Sequence, residues 1–317
     1  MDLAPERASS TAPGYCTRQI QRHDSQSLIV GVKSLHAPLF GIMASVSNPP
    51  SNPSAINPSD DAAHAVVPVE LSILGARVRG QARVPIAPTS TKDMLPAFRL
   101  VADAVVRLTV LSAEQHSGKI SCTKGCGACC RQAVPIAHSE AYRLREVVEA
   151  MPEPRRSIIL ARFAEAERRV REAGLFDRLA EPERFTREEL EPTPMQYFDL
   201  QIPCPFLEEE SCSIYDERPL ACREYLVTSP AAYCSRPDDR VVAVCPPLKP
   251  SEALARLDGI EGVKFVKRML LTLSLWFARE HAEAPPPDSH TGPAVLNEFL
   301  EHLERTRETQ AARVTNI

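Results

Sequence analysis

Apolar and polar residues alternate along "VPVELSILGARVRGQARVPIA", residues 67–87, with Val69, Leu71 and Ile73 on one face and Val78, Ala82 and Val84 on the return. A period of two, interrupted at Gly75 and Gly80, predicts a small β-hairpin over 66–87. A hairpin alone buries too little surface to stand, so it must pack on something. The next segment is the obvious candidate. From Thr91 to Gln115 the period lengthens, and Met94, Phe98, Val101, Val105, Leu108 and Leu111 recur at helical spacing. Pro96 fits the first turn or marks a kink, and Gly118 ends the run.

A second helix is predicted from Ser139 to Met151, with Ala141, Leu144 and Val148 on one side and Pro152 as its stop. A third starts near Pro154, carries Ile159, Phe163, Ala166 and Val170, and ends at Gly174. Its outer face, "AEAERRVRE", reads as a solvated surface, with a partner surface as the alternative. Residues 176–200 read as irregular. Helices resume near Ser251 and over 261–281, where Leu270, Leu271, Leu273 and Leu275 point in several directions, as in a buried helix. "EAPPPDSH" makes 284–293 a linker, and Val295, Phe299 and Leu303 mark a C-terminal helix over 294–309. The expected fold is mainly α with a small N-terminal β-hairpin, around an irregular, cysteine-rich, metal-binding core packed among helices. Its single helical domain spans 66–283.

Residues 1–62 read as a disordered leader, because "SNPPSNPSAINPSDD" repeats turn-forming residues that oppose helix. The N-terminus lacks a basic region followed by an apolar run, so no signal peptide is expected. The longest apolar stretch, "MLLTLSLWFA", is too short to span a bilayer as a helix. The expectation is therefore a cytoplasmic protein without a membrane partner, in a compartment that keeps thiols reduced. A net charge of −4 argues against a nucleic-acid partner; a protein substrate or partner stays open.

Cysteine changes this picture. Nine of the ten cysteines lie between 122 and 245. "CTKGCGACC" supplies Cys122, Cys126, Cys129 and Cys130. "CPFLEEESCSIYDERPLACREY" supplies Cys204, Cys212 and Cys222, and Cys234 follows. These eight suffice for two four-thiolate centres, or for one centre with spare thiols. Cys245 is left out, and Cys16 is isolated in the leader. Cys126 and Cys129 form a C-x-x-C that can meet one metal across a tight turn, which Gly125 and Gly127 permit. If the chain is helical here, Cys126, Cys129 and Cys130 share one face; if it is extended, Cys129 and Cys130 point to opposite sides.

Lys124, Arg131, Arg218 and Arg223 lie close in sequence to the thiols, where they would offset anionic charge. The Glu208–Glu210 run reads as a solvated loop tip, and His138 as a helix-start residue. Zinc and an iron–sulfur cluster both remain open, although C-x3-C-x2-C with distant partners suits the cluster better. The competing reading is a thiol redox pair at Cys126 and Cys129, which leaves six thiols unexplained.

"CTKGCGACC" followed by "IPCPFLEEESCSIYDERPLACREY" resembles the YkgJ-type cysteine-cluster family, zinc- or iron-chelating CxxCxxCC domains, over about residues 118–236. Cys122 and Cys126 depart from the pattern, with three residues between them instead of two. The resemblance implies a metal or iron–sulfur cofactor held by the clustered cysteines. Flagellin lysine N-methylase, a relative with this kind of cluster, is associated with an iron–sulfur cluster and uses S-adenosylmethionine. On that likeness the chain would be a protein-modifying enzyme; the alternative is a non-enzymatic, zinc-stabilised interaction module. No glycine-rich nucleotide loop supports a separate methyl-donor site, and fold does not fix reaction.

Overall fold

The computed structural model describes residues 63–235, 240–259 and 269–315. The leader expected over 1–62, with Cys16, lies outside them. The chain opens with strands β1 (His64–Ile73) and β2 (Ala76–Pro85) and helix α1 (Leu95–His116). Strand β3 (Pro135–Ile136) leads into α2 (His138–Glu149) and α3 (Arg155–Glu172), then the short helices α4 (Phe176–Ala180), α5 (Arg187–Leu190) and α6 (Thr193–Asp199). Strands β4 (Leu207–Glu208) and β5 (Ser211–Cys212), helix α7 (Leu220–Glu224) and strands β6 (Leu226–Val227) and β7 (Ala243–Val244) form the irregular middle. Helix α8 (Pro250–Leu257), strand β8 (Met269–Leu270) and helices α9 (Ser274–Glu280) and α10 (Gly292–Thr315) complete the order. The protein is mainly α with a small N-terminal hairpin, as expected.

The hairpin pairs antiparallel from His64↔Pro85 to Ile73↔Ala76. It starts slightly earlier than the alternation suggested. Leu74 and Gly75 form its two-residue turn, both at positive φ (50° and 77°). A two-residue turn of that hand matches the twist of the flanking strands. Leu71, Ile73, Ala82 and Val84 are buried, so the alternation predicted the face correctly. That face rests on α1, as anticipated, and also on α10. Val295, Phe299 and Leu303 of α10 join one core with the hairpin, α1 and α8, and Phe98 stacks on Phe299 with centroids 4.1 Å apart.

Four expectations need correction here. Helix α1 begins at Leu95, not Thr91, because Pro96 tolerates a first-turn position. Leu111 is 48% exposed, whereas Thr109 and Ala113 are buried: four-residue steps from Val101 stay on the core face, and Leu111, six on from Val105, falls off it. The segment read as a linker, 284–293, is joined to the stretch after β2. Thr89 N–H donates to the His290 carbonyl at 2.8 Å, and Pro88 bridges Thr291. Helix α10 starts at Gly292, not 294, with Pro293 suited to its first turn.

Helices α2 and α3 bury the faces predicted for them: Ala141, Leu144 and Val148, then Ile159, Phe163, Ala166 and Val170. The outer face of α3 is laced by Arg168 with Glu165 and Glu172 and by Arg171 with Glu167, which is the pairing of a solvated helix surface. Gly174, at φ 68°, ends it. Residues 176–200 contain α4, α5 and α6 where irregular chain was expected; each is too short for a 3.6-residue period to register. The helix expected over 261–281 is also revised. Residues 260–268 lie outside the described region, and Met269–Leu270 is a strand paired with Pro135–Ile136. A 3-10 turn over Leu271–Leu273 then precedes α9. The run is buried, as its leucines required, but a wholly apolar run has no period to separate strand from helix. No helix among the described residues is long and apolar enough to cross a membrane.

Candidate metal centre

The "CTKGCGACC" stretch is neither helical nor extended. Successive tight turns carry it: Cys126 N–H donates to Thr123, Cys130 N–H to Gly127 and Gln132 N–H to Cys129, at 2.9–3.1 Å. Gly125 takes φ 92°, a conformation side chains resist. Gly127 serves close approach: a Cβ there would lie 2.6 Å from both the Glu210 carbonyl oxygen and Leu207 Cδ1. The β4–β5 turn therefore sits directly on the C-x-x-C loop.

That turn is built by Glu209 and Glu210, both left-handed (φ 48° and 56°), between Leu207↔Cys212 and Glu208↔Ser211. The acidic run is thus more than a solvated tip. Glu210 accepts two hydrogen bonds from Arg131, at 2.6 and 3.1 Å, which clip the two cysteine segments together. The main chain does the same, since Cys204 N–H donates to the Cys130 carbonyl at 2.7 Å.

Cys222 lies in α7, whose first N–H (Leu220) is received by the buried Glu140 carboxylate at 2.7 Å. The same carboxylate receives Ala137 N–H at 2.9 Å at the start of α2, so one side chain caps two helices that flank the cysteines. His138 is the first residue of α2 and stacks on Phe277, the helix-start place expected of it.

Cys122 and Cys234 are held elsewhere. The Cys122 sulfur receives Val227 N–H at 3.3 Å, while Ser121 N–H donates to the Val227 carbonyl at 2.9 Å. Cys234 is buried. Gln132 Nε2 donates to its carbonyl at 2.9 Å and reaches the Tyr225 hydroxyl at 3.5 Å, and Tyr225 hydrogen-bonds the Cys234 sulfur. Gln132, Tyr225 and Glu140 were missed in the sequence, because neither periodicity nor ligand spacing marks a polar residue that orients a ligand.

Eight cysteines among the described residues carry free thiols: Cys122, Cys126, Cys129, Cys130, Cys204, Cys212, Cys222 and Cys234. Cys245 is not one of them. Burial pushes the thiols of Cys122, Cys204, Cys212 and Cys222 above the ordinary thiol range. Cys234 is pushed up to about 11 by burial, against the opposing Tyr225 hydroxyl. Within the adjacent pair, Cys129 donates to Cys130, which holds Cys130 low and Cys129 high. Arg218 is a cation shared by Cys122, Cys130, Cys212 and Cys222, joined by Arg131 at Cys130 and Arg223 at Cys212; it stacks on Tyr215 at 3.7 Å, and Lys124 lies over the same ring at 5.1 Å. Arg223 is tied to Asp103 of α1 at 2.7 Å.

The thiols are neighbours, yet among the described residues no group of three or more His, Cys, Asp or Glu side chains is arranged to hold a metal ion. The donor chemistry still fits one. Free thiols withdrawn from water ionise poorly on their own; the nearby Arg218 opposes this, and a divalent ion is what stabilises several thiolates together. No curated protein and no solved structure matches the chain. A family model does match residues 121–240, the stretch that holds all eight free thiols. Over these residues the chain is similar to the CxxCxxCC family, described as a "putative zinc- or iron-chelating domain".

Proposed function

We propose that this protein chelates metal through its clustered cysteines, with an iron–sulfur cluster or zinc as the bound group, in the reducing cytoplasm. The observation that carries the reading is the joining of two remote thiol segments. The Cys130 carbonyl receives Cys204 N–H at 2.7 Å, and Arg131 grips Glu210, so thiols far apart in sequence become neighbours. Such a group, when bound, supplies either electron transfer and activation at iron or structural cross-linking at zinc. The chain's own residues contribute the thiolate donors, the Arg218 charge that offsets them and the N–H donors that orient them.

The irregular middle favours a structural share for the metal. Among the described residues between α6 and α8 the regular elements are two-residue strands, two 3-10 turns (Tyr215–Glu217 and Ala231–Ser235) and one five-residue helix, so bound metal would contribute folding energy directly. This supports the non-enzymatic module as the second reading. A lysine-methylating or other protein-modifying activity rests on the family likeness alone. The redox reading is weaker, because Cys129 makes its thiol hydrogen bond to the adjacent Cys130.

Full-length protein purified without oxygen should carry stoichiometric iron with labile sulfide and visible absorption, or colourless zinc. Folded protein free of metal, which takes up neither zinc nor an iron–sulfur cluster on reconstitution, would end this reading.

A further inference from the structure

We propose that an apolar segment of the leader, residues 28–46, docks in the groove between the hairpin and α1. The occupant is this chain itself.

Val69 and Val78 of the hairpin face Leu100 and Ala104 of α1 across the groove, and Gln81 is the one polar side chain that lines it. Its volume is about 80 Å³. Small-molecule sites run to roughly 300–1,000 Å³, so this groove takes apolar side chains and not a cofactor. Leu100 is 52% exposed on its rim, and Leu111 is 48% exposed further along the helix. Steps of four and seven residues keep Leu100, Ala104 and Leu111 within about 40° of one another around α1. The groove therefore continues as an apolar stripe about 17 Å long.

The leader holds a segment of matching chemistry. "LIVGVKSLHAPLFGIMASV", residues 28–46, has ten large apolar side chains among nineteen residues and one formal charge, Lys33. Such a segment gains by leaving water, and the groove presents no charge that would have to be desolvated to receive it.

Reach decides between this segment and a second copy. Residues 47–63, "SNPPSNPSAINPSDDAA", join it to β1. Seventeen residues span about 21–25 Å as a flexible chain and about 53 Å when extended by proline. From His64 to Val69 the strand advances about 17 Å, so the groove lies within the tether's reach. A tether of this length offers its segment at about millimolar effective concentration, far above a second copy in micromolar protein.

The test places p-benzoylphenylalanine at the exposed Arg107, on the same side of α1 as Leu100 and Leu111. Full-length chains, half of them labelled with heavy nitrogen, are mixed, irradiated and mapped by mass spectrometry. Crosslinks to residues 28–46 that carry a single isotope are expected. Leu39→Glu/Phe40→Glu would bring two charges into an apolar groove, so it should lower their yield at least about tenfold. It should also raise the fluorescence of an added anilinonaphthalene sulfonate, while far-UV circular dichroism stays unchanged. Crosslinks of mixed isotope to a second copy overturn the proposal. So do crosslinks that bypass residues 28–46, transfer of the segment to phosphatidylcholine vesicles, or a yield that the two glutamates leave unmoved.

Discussion

Replacing Gly127 with alanine should loosen the cysteine region from the rest of the molecule. The added methyl would lie 2.6 Å from the Glu210 carbonyl oxygen and from Leu207 Cδ1, and 2.8 Å from the Glu210 carbonyl carbon. Comfortable carbon contacts begin at roughly 3.5 Å. Leu207 can turn aside, but the Glu210 carbonyl belongs to a two-residue turn and cannot. Overpacking costs about 1–3 kcal/mol, and the backbone clash places this change in the upper half of that range. For a domain of this size each kcal/mol lowers Tm by about 2–4 °C, so about 4–12 °C is expected. Thermal and urea unfolding of the full-length protein, with metal content measured alongside, would read the effect. Gly80→Ala is the control, since nothing lies within 4 Å of its added methyl; it should be neutral or stabilising by up to about 1 kcal/mol. If Gly127→Ala melts with the natural protein and keeps its metal, the close approach is not what joins the two segments.

Other outcomes follow from the same geometry. The thiols of Cys122, Cys204, Cys212, Cys222 and Cys234 are raised by burial. Their stabilising share is therefore complete below the ordinary thiol value of 9.0 and lost as pH rises through the folded values, about 11 for Cys234. Metal-free protein should lose urea resistance between roughly pH 9 and 11, and zinc-loaded protein should lose far less. Because the same thiols must shed protons to bind, zinc affinity should rise with pH and binding should release protons, measurable in buffers of different ionisation enthalpy. Glu140→Ala leaves the Ala137 and Leu220 N–H groups without their carboxylate partner and should cost about 2–4 kcal/mol in chemical denaturation, with Glu140→Gln recovering part of it. Arg131→Ala removes a pair whose Glu210 side chain is 62% exposed, so a loss below about 1 kcal/mol, shrinking with added salt, is expected.

Much of the scaffold could be read from periodicity. The hairpin face at Leu71, Ile73, Ala82 and Val84, and the α2 and α3 faces, were visible because each repeats against a solvated side. Where that contrast fails, so did the reading. Met269–Leu273 is buried all round, and its division into strand and 3-10 turn depends on pairing with Pro135–Ile136, a partner far away in sequence. Helix α10 looked like an appendage because its prolines suggested a linker, yet Val295 and Phe299 fill the same core as Phe98. For the candidate site, the cysteines themselves carried the signal. Their grouping did not show, since spacing along the chain cannot tell Cys129 from Cys130. Neither could it show that Glu210, in an acidic run, would reach back to Arg131.

The stacking of Phe98 on Phe299 bears on how the chain is made. The residue that covers the first helix is synthesised 201 positions after the one it covers, about 10–40 s later at 5–20 residues per second. Before that interval ends the nascent chain has displayed every cysteine of the 121–240 stretch, while the hairpin still lacks its lid. An ion captured at the ribosome would thus find its ligands before the surrounding protein has closed, and loading need not wait for a finished fold to reopen.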